Sequence, residues 1–274
     1  MAKTAKAAKE ETGRIRVGIG GWTYEPWRGT FYPKGLAQKN ELAYAAQHLT
    51  AIEINGTFYG SQKPASFIKW REETPAHFVF SVKAPRFVVQ KRVLGESSES
   101  IERFFASGVA ELREKLGPIL WQFAPTKKFD ADDFAAFLAL LPREIDGQAL
   151  RHALEVRHES FCCAQFVDLA RKHGAAIVTA RDSKYPEIAD ATADFAYLRI
   201  MGASEDHALG YPPKELDLWS KRLQALAKGE AVAELKQVAP APGKSAPRDV
   251  FAFFISGFKE RNPAAAMDLI ARLR

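Results

Sequence analysis

Eight short runs of β-branched and aromatic residues recur along the chain, each followed by a stretch of helical composition before the next begins. The runs start at Ile15, Ala51, Phe78, Ile119, Ala153, Ala175, Phe195 and Val250. Helices are expected over residues 40–49, 64–73, 100–116, 130–141, 163–173, 213–228 and 263–273, with a weaker stretch at 186–193. Asn40 is placed to cap the first helix, Pro64 to open the second, and Gly174 to close the one after the fifth run. Such alternation selects an α/β fold with a parallel sheet, and eight repeats predict one (β/α)8 TIM barrel. A doubly wound sheet would carry a glycine-rich phosphate loop after its first strand. Val17-Gly-Ile-Gly-Gly-Trp22 lacks the third spaced glycine of that motif.

A barrel of this kind accounts for residues 14–274 as a single domain. Residues 1–13 read as a disordered basic tail. A flexible insert is expected near 230–249, where Ala239-Pro-Ala-Pro-Gly-Lys-Ser-Ala-Pro247 shows no periodicity. Lys and Arg number 39 against 33 Asp and Glu, a net charge of +6. Part of that surplus lies in the tail, so the folded part is mildly basic and does not call for extended contact with duplex nucleic acid. The start lacks the apolar core of a signal peptide and no run reaches ~18 apolar residues, so no membrane contact and a cytoplasmic location are expected. Cys162 and Cys163 are adjacent, which offers neither a CxxC redox pair nor a zinc quartet. They are expected to be small, unpaired residues opening a helix.

Strand parity then locates a site. In a parallel barrel alternate residues face the lumen, and the uniformly apolar set is expected to face the helices. On that rule Ile52 and Ile54 turn outward, which turns Glu53 and Asn55 inward. The same reasoning places Lys83, Gln122, Glu155, Arg157, Arg181 and Arg199 in the lumen, near the C-terminal mouth where barrel enzymes carry their chemistry. Interior ion pairs can serve packing alone. Four cations (Lys83, Arg157, Arg181, Arg199) against two carboxylates nonetheless predict a mouth that binds an anion: a phosphate, a carboxylate or a phosphodiester.

Glu53 and Glu155 are the candidate proton-transfer groups, with His158 as a helper at the strand exit. No HxH, HExxH or clustered His/Asp signature appears, so neither metal nor cofactor is expected. The loop from Trp22 to Pro33 is dense in aromatics; Phe31 is expected to plug the loop onto the barrel, while Trp22 and Tyr24 could instead wall a ligand site.

Gly20-Gly-Trp-Thr-Tyr with Trp27-Arg-Gly-Thr-Phe-Tyr-Pro33, then Glu53-Ile-Asn-Gly-Thr-Phe-Tyr59, Phe80-Ser-Val-Lys-Ala84 and Glu155-Val-Arg-His158, resemble in order and spacing the YecE-like family, domain of unknown function 72. The resemblance covers roughly residues 14–199. It implies a TIM barrel and brings no established reaction with it. Two departures stand out. Where the family has an Arg-x-His-Gly pattern after the seventh strand, this chain reads Arg199-Ile-Met-Gly202. Where it has Phe-Asn-Asn after the eighth, this chain reads Phe254-Ile-Ser-Gly257.

Three functions are compatible with these features. The first is an enzyme acting on a small phosphorylated or carboxylated molecule, with the cations orienting the anion. The second is a nucleic-acid-binding protein or phosphodiesterase, its aromatic loop stacking a base. The third is a non-catalytic binding barrel, which Met201 and Ser256 would suit.

Overall fold

The computed structural model describes residues 12–239 and 246–274. The expected tail lies almost wholly outside them, as does the central part of the proline-rich stretch. Eight parallel strands close on themselves in sequence order: β1 (Ile15–Gly20), β2 (Ala51–Ile54), β3 (Val79–Lys83), β4 (Leu116–Gln122), β5 (His152–Glu155), β6 (Ala176–Arg181), β7 (Phe195–Ile200) and β8 (Asp249–Phe254). The seam joins β8 to β1, with Ile15 beside Val250 and Ile19 beside Phe254. The fold is the expected TIM barrel.

The outer layer comprises α1 (Glu41–His48), α2 (Pro64–Glu72), α3 (Ser98–Ala106), α4 (Ala131–Leu140), α5 (Ala164–His173), α6 (Pro213–Ala227) and α7 (Asn262–Arg272). Local chemistry explains several of their ends. The Asp130 carboxylate accepts the Asp133 N–H at 3.0 Å and starts α4, while Gly174, at φ +63°, closes α5. Asn40 precedes α1, but its side chain does not cap it.

Two helical expectations need correction. The helix expected to reach residue 116 ends at Ala106, because Gly108 (φ +104°) turns the chain and a Cβ there would lie 2.6 Å from the Cα of Pro64. Tighter 3-10 turns over Val109–Lys115 follow, and Leu116 already begins β4. Residues 186–193 form no helix. Instead the Asp190 carboxylate accepts the N–H groups of Val238 and Ala239, and Glu187 accepts that of Lys236. Val232, Leu235 and Ala239 are buried, so the described part of the expected insert is packed against the barrel.

One large apolar core lies between strands and helices, and a smaller one fills the lumen. In the lumen Val79, Leu120, Phe195, Phe251 and Phe253 close the barrel below its mouth. Gly18 matters here, since a Cβ would meet the Ala51 carbonyl oxygen at 1.9 Å and push β1 off β2. A closed, apolar base therefore leaves the C-terminal end as the place where inward polar side chains collect.

Candidate functional site at the barrel mouth

Strand register puts Glu53, Lys83, Gln122, Glu155 and Arg199 on the lumen face. Arg199 links them. Its Nη2 donates to Glu53 Oε1 at 3.1 Å, its Nε to Glu53 Oε2 at 3.2 Å, and its Nη1 to Glu155 Oε2 at 2.6 Å. Glu155 also accepts from Gln122 Nε2 at 2.6 Å and from two nitrogens of Arg157 at 2.9 and 3.1 Å. Glu53 accepts the Tyr197 hydroxyl at 2.8 Å. Both carboxylates are shut off from solvent.

These contacts set the charge states. Burial by itself raises a carboxyl's pKa, but Arg199, Arg157 and the Gln122 hydrogen bond hold Glu155 below its ordinary range. Burial opposes the Arg199 charge, and Glu155 and Glu53 more than restore it. The Tyr197 phenol is pushed well up, by burial and then by the Glu53 charge. The floor is therefore a buried hydrogen-bonded network in which Glu155 and Arg199 are held charged.

Above it opens a cavity of about 670 Å³, lined by Lys83, Gln122, Arg157 and Arg199 with Asn55, Trp22, Trp70, Tyr59, Lys259 and Asn262. Glu53 and Glu155 do not line it. The Thr57 hydroxyl reaches the carbonyls of Ile54 at 3.2 Å and Lys83 at 2.7 Å, tying the turn after β2 to the end of β3. That turn sets Phe58 beneath Lys83, whose Nζ lies 4.1 Å from the ring centre. Lys83 makes no ion pair among the described residues. Burial, then Arg199, lower its pKa to about 8 against the opposing pull of Glu53 and Glu155.

Three residues expected at the mouth lie elsewhere. On β6 Ala180 pairs with Arg199 and Arg181 with Ile200, so Ala176, Val178 and Ala180 face the lumen and Arg181 faces outward. There Arg181 bonds Glu187 at 2.9 Å. The rule that the apolar set faces helices fails on this strand because small alanines make room beside the Arg199 network. His158 turns its Nδ1 back to the N–H and hydroxyl of Ser160, capping the turn Glu159–Phe161, and it does not line the cavity. Tyr24 packs edge-on to Trp27 and lies 4.2 Å from Lys259 Nζ. Phe31 is buried among Trp27, Tyr32 and Tyr44, as a plug would be. Trp22 lines the cavity, 5.2 Å from Trp70.

Sequence reasoning missed Lys259 and Asn262, which follow β8, and Trp70 on α2. The first two carry a usable signal, since loops after strands build the mouth of any such barrel. Lys259 is steered by the Trp27 indole, which donates to its carbonyl at 3.0 Å. The buried Asn262 Oδ1 has no hydrogen-bond partner among the described residues. Among the described residues no three His, Cys, Asp or Glu side chains are grouped to hold a metal ion, and no helix is long and apolar enough to cross a membrane. Cys162 and Cys163 are unpaired and half-buried.

A single-domain (β/α)8 barrel with a charged, open C-terminal mouth is the class of protein that fold and site define. Residues 16–274 match the family described as "Protein of unknown function DUF72", and the chain belongs to that family. It is 27% identical over 150 residues to the UPF0759 protein YecE of Escherichia coli K12, and 28% identical over 116 residues to the UPF0759 protein YunF of Bacillus subtilis 168. The matched stretches cover 54% and 40% of this chain, and 50% and 40% of those proteins. The chain thus spans about half the length of the curated relatives it matches, or less. Among solved structures, a DUF72 family protein from Thermotoga maritima MSB8 superposes with a TM-score of 0.73 at 22% identity, covering 95% of this chain and 99% of that one. One from Enterococcus faecalis V583 gives 0.69 at 17% identity, covering 94% and 95%. These two likenesses establish the shared barrel.

Proposed function

We propose that this barrel binds a small phosphorylated or carboxylated molecule at its mouth and acts on it as an enzyme. The observation that carries the reading is Lys83, a buried ammonium facing the cavity while both nearby carboxylates are already engaged by arginines. Lys83, Arg157, Arg199 and Lys259 against Glu53 and Glu155 leave a surplus of two positive charges around the cavity. A ligand seated among Lys83, Arg157 and Arg199, its anionic group against the two guanidinium groups, would balance that surplus, and charge-assisted hydrogen bonds in a partly dry site are the strong ones.

In this reading Glu53 and Glu155 hold the arginine forks in place from below the cavity. Asn55 and Asn262 would meet hydroxyl groups of the ligand. The Trp22–Trp70 pair would give its carbon skeleton an apolar wall.

Thermal-shift titration tests this with inorganic phosphate, ribose 5-phosphate and citrate, and with neutral ribose as the control. Stabilisation by the anions, absent for ribose and lost in Arg157→Ala, is expected. Equal response to ribose and ribose 5-phosphate would overturn the anion assignment. Short single-stranded DNA replacing the small anions, with affinity falling steeply in salt, would favour nucleic acid instead.

A further inference from the structure

We infer that Lys83 is an amine nucleophile that forms an imine with an aldehyde or ketone carbonyl on the anionic ligand. The inference rests on the proposed reading of the mouth and adds the reactive group of its substrate. Its basis is geometric. Lys83 ends β3, is 5% exposed, and lines the cavity with its ammonium held over the Phe58 ring. Other buried or paired lysines are spent differently. Lys115 donates to the carbonyls of Arg71 and Thr74, both at 2.6 Å, and Lys127 pairs with Asp133 at 2.7 Å.

An amine must be neutral to attack. The groups acting on Lys83 come from β2 (Glu53), β5 with its exit (Glu155, Arg157) and β7 (Arg199). The carboxylates favour its charged form, but they are already neutralised by the arginines. Burial and the two guanidinium groups oppose that form and prevail, bringing the pKa to about 8. On the order of a tenth of the molecules then carry a neutral amine at pH 7, far more than for an exposed lysine.

The chemistry balances without an oxidant or reductant. The neutral Nζ adds to the carbonyl carbon as the C=O π pair moves to oxygen, and the carbinolamine then loses water. Counted from the ammonium, the lysine and the carbonyl compound give an iminium ion, which keeps the single positive charge, and a molecule of water that carries away the carbonyl oxygen. Arg157 and Arg199 sit where they would hold the ligand's anionic group and stabilise the transient alkoxide.

Pyridoxal 5′-phosphate is a suitable probe, being an aromatic aldehyde that carries a phosphate. The full-length protein is treated with it, reduced with borohydride, and mapped by peptide mass spectrometry. A phosphopyridoxyl group on Lys83 is expected, forming at least tenfold faster than with pyridoxal, accelerating as pH rises through about 8, and slowed by inorganic phosphate. Lys83→Arg, which keeps the charge, should lose that label and melt like the wild type. Label scattered over exposed lysines such as Lys34 and Lys39, or confined to Lys259, would overturn the inference even where phosphate still raises the melting temperature. Lys83 labelled equally fast by pyridoxal would keep the nucleophile and remove the anion reading.

Discussion

Arg199 Nη1 on β7 donates to Glu155 Oε2 on β5 at 2.6 Å, with both side chains closed off from solvent. The same guanidinium spans to Glu53 on β2, so one planar group joins three strands of the barrel. Removing one member of such a network leaves buried charges unpaired. Arg199→Met is therefore expected to lower unfolding stability by about 3–5 kcal/mol in a urea titration at pH 7. Glu155 titrates lower in the fold than its ordinary 4.5, so its contribution is present above that pH and is lost as pH falls through the depressed folded value. The deficit of Arg199→Met should shrink correspondingly in acid. A loss under about 1 kcal/mol at pH 7 would mean that the guanidinium does not organise this floor.

Lys83 works in the opposite direction. Its folded pKa of about 8 lies below the ordinary 10.5, so the unfolded chain binds more protons between those values and stability rises with pH across that window. Below pH 8 the full cost of the buried charge is present, on the order of 3 kcal/mol from the size of the shift. Lys83→Met should consequently be more stable than the wild type at pH 7, by about 1–3 kcal/mol, with the gain fading as pH approaches 10.5. Unfolding midpoints at pH 7 and pH 9.5 check this. A variant less stable than wild type at pH 7 would show that the Phe58 contact outweighs the desolvation.

Arg199 and Lys83 also show what the order of amino acids reveals by itself. Glu53, Lys83, Glu155 and Arg199 are legible because the neighbouring Ile54, Val82, Leu154 and Ile200 are apolar, and a two-residue period turns one set inward wherever the other packs on helices. Arg181 breaks that rule because β6 turns alanines inward, and a single strand carries no record of how much room its neighbour's side chain needs. His158 is legible only as a polar residue at a strand exit. That it folds back on Ser160 is a choice between local hydrogen bonds. Trp70 near the end of α2 escapes entirely, since nothing in the run around it marks which helix face reaches the mouth. Barrel topology is written in the alternation, whereas the division of labour between floor and lining depends on contacts across the lumen.

That division separates Arg181 from Arg157. Arg181 faces away from the lumen in a partly exposed pair with Glu187, worth little in solvent. Arg181→Ala is expected to cost under about 1 kcal/mol and to leave inorganic phosphate binding unchanged. Arg157 lines the cavity with its guanidinium 4.3 Å from the Tyr185 ring. Arg157→Ala should weaken phosphate binding at least tenfold while the fold is kept. Calorimetric titration of both variants compares them directly, and equal losses would return Arg181 to the site.

Ser256 follows β8 at φ +64°, a left-handed conformation in which an L side chain with a Cβ is disfavoured. Its carbonyl accepts the Asn262 side-chain N–H at 3.2 Å, and Gly257 continues the turn at φ +55°. A Cβ on Gly257 would lie 2.6 Å from the Ala203 carbonyl oxygen, so the backbone here has little freedom to relax. Asparagine tolerates this region better than serine, because its short amide bonds locally, and β-branched residues tolerate it worst. Asparagine is also the residue that the family resemblance leads one to expect in this turn. Ser256→Asn should accordingly gain about 0.5–1 kcal/mol, and Ser256→Val should lose about 1–2 kcal/mol. Urea midpoints in the order Asn, Ser, Val would show that the turn is held against its backbone preference by the packing of Gly257 and the Asn262 bond. A valine variant as stable as serine would show instead that the loop relaxes around the substitution.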